Sequence, residues 1–210
     1  MKLLTTAVLA FAAAAPAFAN TTFTLDFEGA AGYVNSIGDY YNGGTDSLGQ
    51  SGPNYGVSFS EAAVALSNDE FFQYYSNAPT PGTVMFAFDS SAVMNVAKGF
   101  VDRLTFSYSS SEGTLDAVNI YSGLNGTGTL LASVSLFGNA QIGCSDTAFC
   151  RFDLTSVKFA GVAKSISFGG NAPNVAFDDI TITAVPEPAS YLMLAAGLVG
   201  VAVAKRRRAA

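Results

Sequence analysis

Histidine and tryptophan are absent from all 210 residues, cysteine occurs twice, and Lys and Arg together number only ten. Without histidine there is no Ser-His-Asp triad, no Cys-His dyad and no His-ligated zinc, whereas a carboxylate-pair glycosidase would need only Asp and Glu. Nothing in the sequence singles out an acid and a nucleophile among them, and the chain reads as a non-enzyme. Basic charge is scarcest in the middle. Between Asn20 and Val185 only Lys98, Arg103, Arg151, Lys158 and Lys164 face fifteen acidic residues, an excess of ten negative charges. Such a body is repelled by nucleic-acid phosphates and by anionic lipid head groups, so neither is expected as its partner.

What the middle lacks, the ends supply. Met1-Lys2 is a basic start, residues 3–15 are apolar apart from Thr5 and Thr6, and Ala17-Phe18-Ala19 has the small-x-small form of a cleavage site. Residues 1–19 therefore read as a secretory signal peptide, cut by signal peptidase between Ala19 and Asn20. At the other end, residues 189–204 are uncharged and as a single transmembrane helix would span about 24 Å. That is short of the ~30 Å hydrocarbon core, but the basic tail Lys205, Arg206, Arg207 and Arg208 can snorkel and Tyr191 can sit at the interface. Basic residues after the helix stay cytoplasmic, so both ends give one topology, with the body facing outward. In a chain routed out of the cytoplasm, Cys144 and Cys150 are expected as a disulfide, worth about 2 kcal/mol for so short a loop.

Before the helix stands Val185-Pro186-Glu187-Pro188. The two prolines fix φ and remove backbone donors, so the segment joins neither a preceding strand nor a following helix and is left extended and accessible. Val185 to Pro188, the apolar helix and the Lys205 to Arg208 cluster together resemble the PEP-CTERM sorting signal of exported bacterial proteins. The resemblance covers about the last 26 residues, 185–210. It implies recognition by an exosortase, an intramembrane transpeptidase-like enzyme. It further implies an inner-membrane intermediate facing the periplasm, processing at the tail, and delivery to the cell surface or extracellular matrix of a Gram-negative cell that makes exopolysaccharide.

The body, residues 20–184, shows period-two alternation and little helical periodicity. Strands are expected at 23–27, 55–59, 83–88, 104–109, 117–121, 130–136, 149–154, 163–168 and 174–183, with turns marked by Gly, Asn, Ser and Asp. Short strands at this density, without amphipathic helices, argue for an all-β antiparallel sandwich of the jelly-roll type. Residues 29–54 read as a Gly- and Asn-rich surface excursion. Its tyrosines, with Tyr40 and Tyr41 as the glycan-binding candidates, either stack on sugar rings or pack over the sandwich edge. Residues 71–75, Phe-Phe-Gln-Tyr-Tyr, form a second aromatic cluster open to the same two readings.

Two carboxylate pairs stand out. With Phe23, Leu25 and Phe27 on one face of a strand, Asp26 and Glu28 project from the other. Around Asp178-Asp179 the alternation changes parity, from Val175 and Phe177 to Ile180 and Ile182, which predicts a bulge. Close first and last strands would gather all four carboxylates, and such a cluster calls for a cation or raised pKa values. The opening FE and closing DD strands resemble jelly-roll carbohydrate-binding modules, which implies a structural Ca²⁺ held by Asp26, Glu28, Asp178 and Asp179. The function expected from the sequence is an exported structural protein of the cell surface or biofilm matrix, or alternatively a lectin-like module for exopolysaccharide.

Overall fold

In the computed structural model, residues 20–30, 32–185 and Gly197 are described. The strands are β1 (Thr21–Leu25), β2 (Asn35–Ser36), β3 (Val57–Phe59), β4 (Ala63–Leu66), β5 (Val84–Ala87), β6 (Val93–Ser110), β7 (Thr114–Tyr121), β8 (Leu130–Leu136), β9 (Asp153–Lys158), β10 (Ala163–Ser167) and β11 (Val175–Ala184). One 3-10 turn, Gly169–Asn171, is the sole helical element of the body's described residues. All strand pairings are antiparallel, as the alternation requires. Asn20 to Val185 forms one unit by itself.

The 18-residue β6 organises the pairing. Its first half lies between β3 and β10, through Met94↔Phe59 and Met94↔Ile166. Its second half lies between β11 and β9, through Thr105↔Thr181 and Thr105↔Ser156. Two sets of strands result, β3-β6-β10-β7-β8 and β2-β4-β5-β11-β6-β9, with β1 added on β11. The change of partners falls at Gly99 and Asp102, whose φ values are +88° and +74°. A Cβ at Gly99 would press on the Ala163 carbonyl, so close approach as well as φ calls for glycine there. The two sets share one core, consistent with the expected sandwich. Leu104, Phe106, Phe177, Ile180 and Met85 from one set meet Val118, Ile120, Ile166 and Met94 from the other.

β11 shows the predicted bulge. Asp178 lies opposite Ser107 and Thr181 opposite Thr105, so two residues of β11 face the single Phe106 of β6, and Asp179 takes φ +50°. The slip returns Ile180 and Ile182 to the face already used by Val175 and Phe177, and all four are buried in the shared core. Ala176 points to a smaller cluster with Leu66, Tyr75 and Val84. Cys144 and Cys150 are bonded, with Cα atoms 6.0 Å apart. The expected strand over 149–154 is shifted. Phe149 makes only an isolated bridge with Tyr75, and β9 begins at Asp153. The signal peptide 1–19 lies outside the described residues, as do Pro186 to Ala210 apart from Gly197. No helix of the described residues is long and apolar enough to cross a membrane.

At the centre, Phe106, Phe168 and Phe177 form a triangle of edge-to-face rings with centroids 5.5, 6.3 and 4.8 Å apart. Phe106 is fully buried, so Phe106→Ala is expected to cost about 3–5 kcal/mol. Leu154, on the edge strand and 73% exposed, sets the contrast, since Leu154→Ala should stay within about 0.5 kcal/mol. Urea unfolding of the exported protein checks both. A Phe106→Ala loss below about 1 kcal/mol would contradict the shared core.

Candidate functional site

β1 pairs with β11 from Thr21↔Ala184 to Leu25↔Ile180, so the first and last strands do lie side by side. The strand ends at Leu25, however, and Asp26 and Glu28 do not project from a continuing strand. Phe27 takes φ +61° and turns into the core against Tyr41 and Phe59. Its burial, worth about 2–3 kcal/mol, outweighs the roughly 1 kcal/mol strain of a left-handed residue. The turn brings Asp26 and Glu28 to the same end as Asp178 and Asp179. Charge from Asp26 and Glu28 acts on Asp179 and pushes its carboxyl up, after burial as the larger cause.

Two of the four, Glu28 and Asp178, fasten the connection between β4 and β5. Glu28 Oε1 accepts from Gly82 N at 2.9 Å and Thr83 N at 3.0 Å. A Cβ at Gly82 would run into that carboxylate, so glycine is needed for the approach. Asp178 Oδ2 accepts from Thr80 N at 3.0 Å, Thr80 Oγ1 donates to the same carboxylate at 3.0 Å, and Asp178 Oδ1 accepts from Asp179 N at 2.8 Å. Tyr75 donates its hydroxyl to the Gly82 carbonyl at 2.8 Å from beneath. The donor set is hard oxygen throughout, which suits Ca²⁺ in chemistry. In geometry these oxygens hold backbone N–H groups rather than one common point. Among the described residues, the only three or more candidate ligand atoms within 4.8 Å of one another are those of Cys144, Asp146 and Cys150. Both of those thiols are taken by the disulfide.

Asp178 is fully buried, and burial pushes its carboxyl up to about 7, helped by the Asp179 charge and opposed by the Thr80 and Asp179 N–H groups and the Thr80 hydroxyl. The fold therefore holds this proton more tightly than the unfolded chain. Stability from this group is fully present below the ordinary carboxyl range near pH 4 and is lost as pH rises through about 7. The loss is on the order of 2–4 kcal/mol. In chelator, urea midpoints measured between pH 4.5 and 8 are expected to fall more steeply for the parent than for Asp178→Asn. Equal slopes would contradict the buried proton.

Of the two readings open for the loop tyrosines, packing holds for Tyr40 and Tyr41, which corrects their choice as glycan-binding candidates. Tyr40 and Tyr41 are 6% and 2% exposed, within the main core rather than on a sugar-facing loop. Tyr41 Oη accepts from Phe27 N at 2.9 Å, and its ring meets Tyr40, Tyr55 and Phe27. Burial pushes the Tyr41 hydroxyl far above its ordinary range, against the Phe27 hydrogen bond. The Gly-rich excursion is folded down by buried Asp46, which accepts from Asn35 Nδ2 at 2.8 Å, Leu48 N at 2.9 Å and Gln50 N at 2.8 Å. The exposed rings of residues 29–54 and 71–75 are others: Tyr33, Phe71 and Phe72, at 65%, 78% and 59%. Tyr33 stacks on Tyr74, and Tyr74 on Phe72. Of the aromatic cluster at 71–75, Tyr75 is core, Tyr74 half-buried, and the two phenylalanines face solvent.

Among the described residues, three of the open concavities bear on catalysis. Two hold no carboxylate, and the third carries Glu61 and Asp89. Hydrogen bonds from the Ser91 hydroxyl and N–H hold Asp89 below the usual carboxylate range, the wrong direction for a general acid. At the chain's other functional segment, Val185 donates its N–H to the Gly99 carbonyl at 3.0 Å. Pro186, Glu187, Pro188, the expected helix 189–204 other than Gly197, and Lys205 to Arg208 lie outside the described residues, as does Ala19.

No curated protein matches the chain in sequence. Among solved structures, the chain is similar to CsCBM6-3 from Clostridium stercorarium in complex with cellobiose, at 16% identity, 62% of this chain, 93% of that chain and a TM-score of 0.38. The C-terminal CBM6 of LamC from Zobellia galactanivorans gives 14%, 58%, 88% and 0.34. The K2 cleaved adhesin domain of Lys-gingipain gives 15%, 78%, 98% and 0.44. Likeness at this level says nothing of ligand or activity. The C-terminus is specific: residues 184–208 match the PEP-CTERM protein-sorting motif, so the chain ends in the tail of an exported protein sorted by an exosortase.

Proposed function

We propose that the chain is an exported, non-catalytic structural protein of the cell surface or extracellular matrix, with a disulfide-stapled body delivered through its PEP-CTERM tail. The sorting motif at residues 184–208 is the observation behind this reading. In this account signal peptidase cuts between Ala19 and Asn20. The helix 189–204 then holds the body in the inner membrane, facing the periplasm, with Lys205 to Arg208 on the cytoplasmic side. An exosortase acts on the strip Val185 to Pro188. The body is a jelly-roll sandwich closed by β1 on β11. A second reading, in which the body also contacts exopolysaccharide, is favoured by the solvent-facing rings of Tyr33, Phe71 and Phe72.

Intact mass of the protein recovered from culture tests the main reading. It should correspond to a chain starting at Asn20, lacking its C-terminal tail and two hydrogens lighter for the disulfide. Changing Pro186, Glu187 and Pro188 to Ala should leave export intact and retain the protein in the inner membrane. Release of that variant as efficient as the parent's would reduce the tail to an ordinary anchor.

We also propose a structural Ca²⁺ at the β1–β11 end, with Glu28 and Asp178 as leading ligands and Asp26 and Asp179 in support. The support is the gathering of hard oxygen donors there; a bound ion would draw Glu28 and Asp178 away from some of their present N–H partners. With a Kd on the order of 10 μM, ~1 mM calcium stabilises the fold by about 2.7 kcal/mol, a rise in Tm of about 5–11 °C. Thermal unfolding with calcium and with chelator, repeated for Glu28→Ala, checks this. A shift under about 1 °C would return these carboxylates to their role of fastening residues 80–83.

A further inference from the structure

The link between β4 and β5 exposes two consecutive phenylalanines while being tightly fastened to itself. Asp69 Oδ1 accepts from both Phe71 N and Phe72 N at 2.7 Å, and Gln73 Nε2 donates to the Asp69 carbonyl at 2.6 Å. Asn68 Oδ1 accepts from Tyr74 N at 2.8 Å, and its Nδ2 donates to the Tyr75 carbonyl at 2.7 Å. Tyr75, 2% exposed, roots the loop in the smaller core. The outward rings are thus held in place by hydrogen bonds made on either side of them, and slack in the loop does not account for their exposure.

These rings form a row. Tyr33 and Tyr74 have centroids 5.4 Å apart with planes 27° from parallel, and Tyr74 and Phe72 follow at 6.0 Å and 24°. Face-to-face carbon contact lies near 3.5–4 Å, so the rings are displaced sideways, each leaving part of a face open. A pyranose presents an apolar C–H face that suits such a ring and hydroxyls at its rim that suit Asp69, Glu70, Gln73 and the Tyr33 phenol. Two successive ring-to-ring steps suit linked sugars better than a single one. Charge narrows the class further. Asp69 and Glu70 beside the row, on a body with ten excess negative charges, repel uronate, sulfate and phosphate groups and would carry carboxylates toward an anionic lipid surface.

We propose that Tyr33, Tyr74 and Phe72, with Phe71 beside them, form a stacking platform for a neutral polysaccharide. The proposal rests on the polysaccharide-contact reading above and assigns its site. Affinity electrophoresis of the exported protein through gels containing hydroxyethylcellulose, laminarin, galactomannan, alginate or the culture's own exopolysaccharide tests it, with phosphatidylcholine vesicles in a parallel sedimentation arm. Retardation is expected in at least one neutral glycan and not in alginate. Phe72→Ala or Tyr33→Ala should weaken it roughly tenfold, with Tm unchanged within about 2 °C because both side chains are exposed. Retardation undiminished in both variants overturns the platform and leaves the polysaccharide reading standing. No retardation by any neutral glycan overturns both. Equal retardation by alginate overturns the neutral class, and Phe-dependent sedimentation with vesicles in place of glycan binding overturns it in favour of a lipid surface.

Discussion

The one-residue slip in β11 is the constraint on which the body depends. This strand pairs with β1, β5 and β6, so its side chains decide what both halves of the core contain. Without the bulge, period-two geometry would send Ile180 and Ile182 to the face opposite Val175 and Phe177. With it, all four are buried together, and the cost is one residue, Asp179, at positive φ. Asp178, the last residue in register before the slip, is buried and holds Thr80 and so the connection between β4 and β5. Core packing and the buried carboxyl that holds Thr80 therefore meet in one strand.

That bulge was legible in the sequence, because the parity of the apolar residues changes across Asp178-Asp179. β8 was legible to the residue, and the all-β class followed from the alternation. β4 was not: Ala63 to Leu66 are buried without exception, and a continuous apolar run of four has no period to detect. The length of β6 was hidden by Gly99 and Asp102, which look like turn residues and instead redirect one strand between two sets of partners. For Tyr40 and Tyr41 the sequence left sugar stacking and packing both open, because Gly and Asn around them signal a surface loop, while the interaction that folds this segment inward comes from one carboxylate, Asp46, whose role no spacing reveals.

The tail was read from chemistry that needs no tertiary context. The resemblance rests on a proline-bounded strip, an apolar stretch and a basic cluster that follow one another along the chain, an order visible without any fold. β11 runs to Ala184, and the motif begins at residue 184. The last strand of the body is thus followed at once by the sorting segment, and Pro186 and Pro188 stop the strand from continuing into it. A cut after Val185 would leave every paired residue of the sheet, Ala184 included, with the body.

Sorting by an exosortase is the central claim, and the fate of the unaltered chain in a producing strain without its exosortase tests it most directly. Fractionation followed by immunoblotting should find the protein in the inner membrane with its tail intact, and none at the surface or in the medium. Unchanged delivery and the same trimmed C-terminus in that strain would contradict the account.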